Sequence, residues 1–164
     1  MLCSCGQCRF NIQEYENNNI VHTNNNRRRR KAGVIIHNTK TNHLLIIQSR
    51  GNMWGFPKGS MEEDETFIDC AIRELKEETS IDIDKKELTK EYKLNTNIRY
   101  YYVETSTNYD NLVIPKCDNN DASGMCWIKL ECLKELFINK KITLNYHARN
   151  CLFHFFKIGS RFKF

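Results

Sequence analysis

The 164-residue chain has the length of a single domain, and apolar residues make up 40% of it, enough to bury a core. Its 25 Lys and Arg residues exceed its 20 Asp and Glu residues, and the formal net charge of +5 suits a polyanionic partner. No apolar run approaches the ~20 residues of a membrane span, and the first residues lack the apolar stretch of a signal peptide. We therefore expect a cytoplasmic or nuclear protein without membrane association, whose eight cysteines are thiols or metal ligands.

Composition predicts two parts: an N-terminal extension of residues 1–30, rich in Cys, Asn and Arg, and a domain of residues 31–164. Five consecutive basic residues join the two parts: Arg27, Arg28, Arg29, Arg30 and Lys31. Such runs bind phosphate backbones or serve as nuclear-targeting signals, and many are simply solvated charged arms. If the substrate is an RNA, we expect the four arginines to bind its phosphates.

The extension also contains closely spaced cysteines. Cys5 and Cys8 form a C-x2-C pair, which is half of many zinc sites, and Cys3 precedes them. Because no second C-x2-C pair follows, a fourth ligand would have to be His22 or a remote cysteine such as Cys117. Two interpretations stay open, a zinc site and free thiols in a loose tail, and the missing second pair favours free thiols.

Apolar patterns predict the elements of the domain in chain order. Strands are expected at residues 32–36 and 44–47, joined as a hairpin by the polar turn at 38–42, then at 88–94, 99–105 and 126–130. Helices are expected at residues 65–79, 131–137 and 145–156. Mixed strands and helices in this order predict an α/β fold.

Residues 65–79 form the most informative helix. They include no Pro or Gly, and Ile68, Ile72 and Leu75 recur at i, i+4 and i+7, which makes one apolar stripe. A second face of the helix is acidic.

Glu74, Glu77 and Glu78 make up that acidic face, since residues at i, i+3 and i+4 are neighbours on a helix surface. Three like charges this close repel one another, and a hard divalent cation with a preference for carboxylate oxygens would offset the repulsion. An acidic face by itself is usually just solvated. Its position after Gly59 and beside Arg73 favours the metal site.

Residues 54–83 resemble the Nudix box, whose pattern is G-x5-E-x7-R-E-U-x-E-E-x-G-U with U aliphatic. Eight of the nine specified positions match: Gly59, Glu65, Arg73, Glu74, Leu75, Glu77, Glu78 and Ile81. Ser80 stands where the family has its second glycine. The flanking sequences WGFPKG (residues 54–59) and IDCAIRE (residues 68–74) resemble, more specifically, the catalytic domain of the eukaryotic mRNA-decapping enzyme.

The resemblance implies a Nudix-type α/β/α sandwich with a mixed sheet and a catalytic loop-helix-loop, covering residues 31–156. It also implies a metal-dependent hydrolase of diphosphate linkages, whose expected substrate is the 5′ cap of RNA, released as 7-methylguanosine diphosphate. The expected cofactor is Mg²⁺ or Mn²⁺, held by Glu74, Glu77 and Glu78. Glu78, with Glu77 beside it, is expected to take a proton from the attacking water, and Asp121 is the other candidate for that role.

Asp121 lies six residues before Trp127, close to where decapping enzymes have a catalytic loop glutamate, and Asp118 is the nearby substitute. The other interpretation of these aspartates is turn chemistry. Lys58 and Gly59 are expected to contact the substrate.

Glu65 and Arg73 are expected to brace the loop by an internal ion pair. Trp54 is interpreted as a core residue rather than a platform for the cap base.

Two alternatives use the same fold. A diphosphoinositol-polyphosphate or nucleotide hydrolase would keep the acidic helix and change the pocket. A non-catalytic RNA-binding module is less favoured, because such modules usually lose the three acids that this chain retains. The sequence identifies no protein partner.

Overall fold

The computed structural model describes residues 3–13, 29–49, 52–116 and 122–159. The strands in these ranges are β1 (Arg9–Ile12), β2 (Lys31–Asn38), β3 (His43–Ser49), β4 (Met53–Gly55), β5 (Lys58–Ser60), β6 (Leu88–Asn95), β7 (Ile98–Thr105), β8 (Ala122–Lys129) and β9 (Thr143–Leu144). The helices are α1 (Phe67–Thr79), α2 (Leu130–Ile138) and α3 (Tyr146–Phe156), with one 3₁₀ turn at Lys85–Glu87. None of the helices in the described ranges combines the length and apolarity needed to cross a membrane.

All nine strands join one mixed sheet, whose main path runs β1-β8-β3-β2-β7-β6. Strands β2 and β7 pair in parallel along their whole length, while β3 pairs antiparallel with β2 and β8. A parallel pair needs a crossover connection. The segment that connects β2 to β7 includes α1, which packs on β2.

Strand β2 shows why the sheet is covered on both faces. Seven of its eight residues are buried, so neither face meets solvent. Val34 and Ile36 pack with α1 on one face, whereas Ile35 packs on the other face with apolar residues of α2 and α3. The predicted α/β/α sandwich with a mixed sheet is therefore confirmed.

The predicted strands and helices are present with shifted ends. Helix α1 begins two residues later than expected, and β8 begins at Ala122 rather than at residue 126, because its whole length pairs with β3. Residue 130, expected to end that strand, is the first residue of α2.

Strand β1 was not expected from the sequence. It pairs antiparallel with β8, from Arg9 opposite Trp127 to Ile12 opposite Gly124. The expectation of a loose tail is therefore wrong for residues 3–13, which are held by edge pairing and by side-chain packing. The domain boundary at residue 30 stays a prediction.

Candidate active site

Helix α1 carries the acidic face, and both of its ends are fixed by local chemistry. Thr66 caps the N-terminus, where its hydroxyl oxygen accepts the backbone N–H of Asp69 at 3.1 Å. Ser80 caps the C-terminus with a left-handed backbone, φ 60°. That conformation favours glycine, which explains why the Nudix pattern has glycine at this position.

The three acids of α1 meet different surroundings. Glu78 is buried, with 6% of its surface exposed, and its Oε2 accepts the backbone N–H of Lys58 at 2.9 Å. Glu74 is partly buried, and Glu77 is exposed. The three acids of the helix therefore differ in burial, and the most buried one, Glu78, is hydrogen-bonded to the segment that precedes the helix.

Gly59 makes room for Glu74. A Cβ at position 59 would lie 1.9 Å from Cδ of Glu74 and 2.0 and 2.1 Å from its two carboxylate oxygens. No side chain fits there unless Glu74 moves. The requirement for glycine therefore comes from the acidic face, while a direct contact of Gly59 with substrate stays a prediction.

Arg73 connects α1 to the preceding loop. Its Nε and Nη2 donate to the two carboxylate oxygens of Glu65 at 2.8 and 3.0 Å, and Nη2 also donates to the backbone carbonyl of Ser60 at 3.0 Å. These bonds raise the pKa of Arg73 and lower that of Glu65. The expected ion pair is present, and its bidentate geometry is the stronger form of such a pair.

The acidic face offers carboxylate oxygens, the ligand atoms that a hard divalent cation prefers, and Arg73 already partly offsets the charge of two of its members. Nη1 of Arg73 donates to Glu74 Oε1 at 3.0 Å and to Glu77 Oε2 at 3.1 Å. Burial raises the pKa of Glu74, and the Arg73 guanidinium opposes that rise. Within the described ranges, these three acids are not a group whose ligand atoms all lie within 4.8 Å, so joint binding of one ion needs side-chain rotation.

A basic cleft of about 400 Å³ opens beside this loop. It is lined by Arg29, Lys31, Asn95, Thr96, Asn97, Ile98 and His147. Burial, together with the charges of Lys58 and Lys31, lowers the pKa of His147 to about 4. Lys58 is therefore close to both the cleft and the buried Glu78, which its own N–H contacts.

Sequence reasoning missed most of this cleft. Residues 95–97 lie between two expected strands and His147 lies within an expected helix, and neither was expected to line a site. Strand pairing brings the lining residues of the cleft together, because Lys31 in β2 lies opposite both Ile98 in β7 and Ser60 in β5. No local pattern in the sequence signals that arrangement.

The other predicted positions divide between described and undescribed residues. Trp54 is buried, with 2% of its surface exposed, and its ring packs edge-on against Phe10, so its role in the core is confirmed. The backbone carbonyl of Arg30 accepts the N–H of Met61. Several predicted residues lie outside the described ranges: Arg27, Arg28, Asp118, Asp121, His22 and Cys117.

Comparison with known proteins gives consistent results. The NUDIX domain model matches residues 27–147. The chain is similar to mRNA-decapping enzyme subunit 2 of Arabidopsis thaliana, with 30% identity over 105 residues, which cover 62% of this chain and 28% of that protein. It is also similar to mRNA-decapping protein g5R of African swine fever virus, with 28% identity over 124 residues, which cover 62% of this chain and 47% of that protein. The chain thus spans less than half the length of either relative.

The fold is similar to that of the E. coli dihydroneopterin triphosphate pyrophosphohydrolase, with a TM-score of 0.56 and 20% identity. The match covers 76% of this chain and 92% of that one. Since the domain model covers most of the sequence and the box residues come together on α1 and the loop before it, the chain belongs to the NUDIX family of pyrophosphohydrolases.

Proposed function

We propose that the chain removes the 5′ cap from RNA. Water adds to a phosphorus of the cap's phosphate bridge, the P–O bond to the neighbouring phosphate breaks, and the products are 7-methylguanosine diphosphate and RNA with a 5′-monophosphate. The two decapping relatives support this substrate.

The observation that carries the proposal is the position of the acidic helix face beside a basic cleft. Glu78 accepts the N–H of Lys58, and the charges of Lys58 and Lys31 both act on His147 in the cleft. A capped RNA needs both regions, because its reacting diphosphate must reach the acids while the following phosphates need cations. Arg29 and Lys31 line the cleft in the position to bind those phosphates.

The chain's own residues position the reaction. Arg73 and Glu65 fix the loop against α1, so the backbone of Lys58 and the carboxylate of Glu78 keep a constant spacing. The Lys58 ammonium would contact a bridging phosphate. Glu78, or the loop residue Asp121, would accept the proton that the attacking water loses.

The bound Mg²⁺ or Mn²⁺, for which Glu74, Glu77 and Glu78 are the proposed ligands, would neutralise the diphosphate and lower the pKa of the attacking water. Members of this family depend on divalent metals, and a solved relative in fold, from Francisella tularensis, contains a manganese ion with AMP. Carboxylates of this kind suit both ions.

A second candidate substrate is a diphosphoinositol polyphosphate. Arg29, Lys31 and His147 line a cleft of about 400 Å³. A compact polyanion could fill this cleft without an RNA chain, which favours the second candidate. The two candidate substrates differ in length, and only a long RNA would reach all four arginines at residues 27–30.

A substrate panel tests the proposal. Initial rates would be measured with Mg²⁺ and with Mn²⁺ on cap-labelled RNA, cap dinucleotide, diphosphoinositol polyphosphate and nucleoside triphosphates. We expect capped RNA to have the highest kcat/KM and the Glu78→Gln variant to lose that activity. Faster hydrolysis of diphosphoinositol polyphosphate, with no release from capped RNA, would replace the proposal by the second candidate.

A further inference from the structure

Four cysteines converge at the edge of the sheet, away from the acidic helix. The sulfurs of Cys3, Cys5, Cys8 and Cys132 all lie within 4.8 Å of one another. The Sγ atoms of Cys3 and Cys5 are 3.2 Å apart, and those of Cys5 and Cys8 are 3.5 Å apart. In the part of the chain that the structure describes, no other group of ligating side chains meets this spacing, and all four of these cysteines are free thiols.

The spacing suits a metal ion better than disulfides. Four sulfurs placed tetrahedrally at ~2.3 Å from one zinc ion would lie ~3.8 Å from each other. Disulfides would instead bring the sulfurs into two pairs at ~2.05 Å. The observed distances of 3.2 and 3.5 Å, with all four sulfurs inside 4.8 Å, lie near the tetrahedral value.

The backbone is arranged to support negative charge on these sulfurs. The N–H of Gln7 points at Cys5 Sγ at 3.3 Å, and the N–H of Lys129 points at Cys8 Sγ at 3.3 Å. The N–H of Cys5 itself points at Cys3 Sγ at 3.5 Å. Gly6 has φ 71°, which bends the chain between the second and third cysteines. N–H donors around the ligands orient them and stabilise the thiolate form.

Cationic side chains surround the same turn. The Arg9 guanidinium donates to the carbonyls of Gly6 at 2.9 Å and Cys8 at 3.4 Å. The Lys129 ammonium donates to the Gln7 side chain at 3.0 Å. Four thiolates with one divalent ion would keep two negative charges, and these two cations lie where they would offset them.

We propose that Cys3, Cys5, Cys8 and Cys132 bind one Zn²⁺ as a structural tetrathiolate site. Four protein ligands close the coordination sphere, so the ion holds the fold and has no open position for catalysis. The fourth ligand is a remote cysteine, as one of the two sequence alternatives had it, but it is Cys132 in the first turn of α2 rather than Cys117. The inference is independent of the reaction at the acidic helix.

The site would fasten the N-terminal segment to the body of the domain. Cys3, Cys5 and Cys8 precede β1, and Cys132 follows β8, the strand with which β1 pairs. Phe10 in β1 packs against Trp54 at the base of the loop before α1. Without the ion, we expect β1 to separate from β8 at a lower temperature than the rest of the sheet.

Metal content of the full chain tests the site. The protein would be produced in medium containing zinc, purified without chelator, and measured by mass spectrometry of its metals. We expect ~1 zinc per chain, and less than a tenth of that in the Cys132→Ala variant. Cys151→Ala is the matched control, since Cys151 is also a buried helical cysteine but is not in the cluster, and its zinc content should equal that of the wild type.

A second variant keeps the test valid if Cys132→Ala fails to fold. Cys5 is exposed, so Cys5→Ser removes one ligand without opening a cavity in the core. Zinc loss in Cys5→Ser, with the absorption of tetrahedral cobalt thiolate in cobalt-substituted wild type, would support the proposal. Zinc-free wild type, iron in place of zinc, disulfides among these cysteines, or unchanged zinc in Cys5→Ser would each overturn it. Triple replacement of Glu74, Glu77 and Glu78 by Gln should leave the zinc content unchanged.

Discussion

Gly59→Ala tests whether glycine is needed at position 59 to leave room for the Glu74 carboxylate of the acidic face. The new Cβ would lie 1.9 Å from Glu74 Cδ, whereas ordinary contact begins at 3.4 Å, so the carboxylate has to shift by about 1.5 Å. That shift breaks the 3.0 Å bond from Arg73 to Glu74. We expect a loss of about 0.5–1.5 kcal/mol in the free energy of unfolding, the net contribution of the broken hydrogen bond, because the end of the Glu74 side chain can itself move away. Because ~1 Å of misplacement costs about 100-fold in rate, hydrolysis should fall by at least that factor.

A double-mutant cycle with Glu74→Ala separates this cause from others. Urea unfolding would be measured for the wild type, both single variants and the double variant. If the clash with Glu74 is the cause, Gly59→Ala should cost almost nothing once the Glu74 side chain is removed. An equal cost in both backgrounds would refute the reasoning, and so would a single variant whose stability and activity match the wild type.

Four other perturbations test the account, three of them from the structure and one from the sequence of residues 27–30. Glu78→Gln should abolish hydrolysis without lowering the melting temperature, because Gln still accepts the Lys58 N–H. A rate within tenfold of the wild type, which is a change of only ~1.4 kcal/mol in the activation free energy, would contradict the assigned role. Ser80→Gly should raise stability by up to ~1 kcal/mol in thermal unfolding, because φ is 60°, and a lower melting temperature would count against this. Replacing residues 27–30 by serine should weaken binding of long capped RNA and make its affinity less dependent on salt. Equal effects on binding of a short cap analogue would show that these arginines do not bind the RNA chain beyond the cap. Protonation of His147 is disfavoured in the folded state, where its pKa is about 4, so the free energy of unfolding should fall as pH drops from ~6.5 towards 4. A His147→Gln variant whose unfolding has the same pH profile as that of the wild type would contradict this.

The predictable parts of this fold are those with local signals. The helix of the box was expected to within two residues, because its apolar stripe and its acidic spacing both lie within one short stretch. The hairpin of β2 and β3 was likewise visible as two apolar runs around a polar turn.

The parts that were not predictable depend on contacts between distant residues. Strand β1 is only four residues long and is exposed at both ends, and its pairing with β8 joins segments more than 100 residues apart. Cys132 meets the N-terminal cysteines through that same pairing. The difference in depth between Glu78 and Glu77 depends on how α1 rotates against β2 and β5, which spacing along the helix does not set.

The central claim is tested most directly by the products formed from RNA labelled in its cap phosphates. The purified chain would be incubated with this RNA and Mg²⁺ or Mn²⁺, and the released label separated by chromatography, with Glu78→Gln as the matched control. The account predicts 7-methylguanosine diphosphate and RNA with a 5′-monophosphate, and no release by the variant. Release of 7-methylguanosine monophosphate, equal release by the variant, or no release while diphosphoinositol polyphosphate is hydrolysed would contradict it.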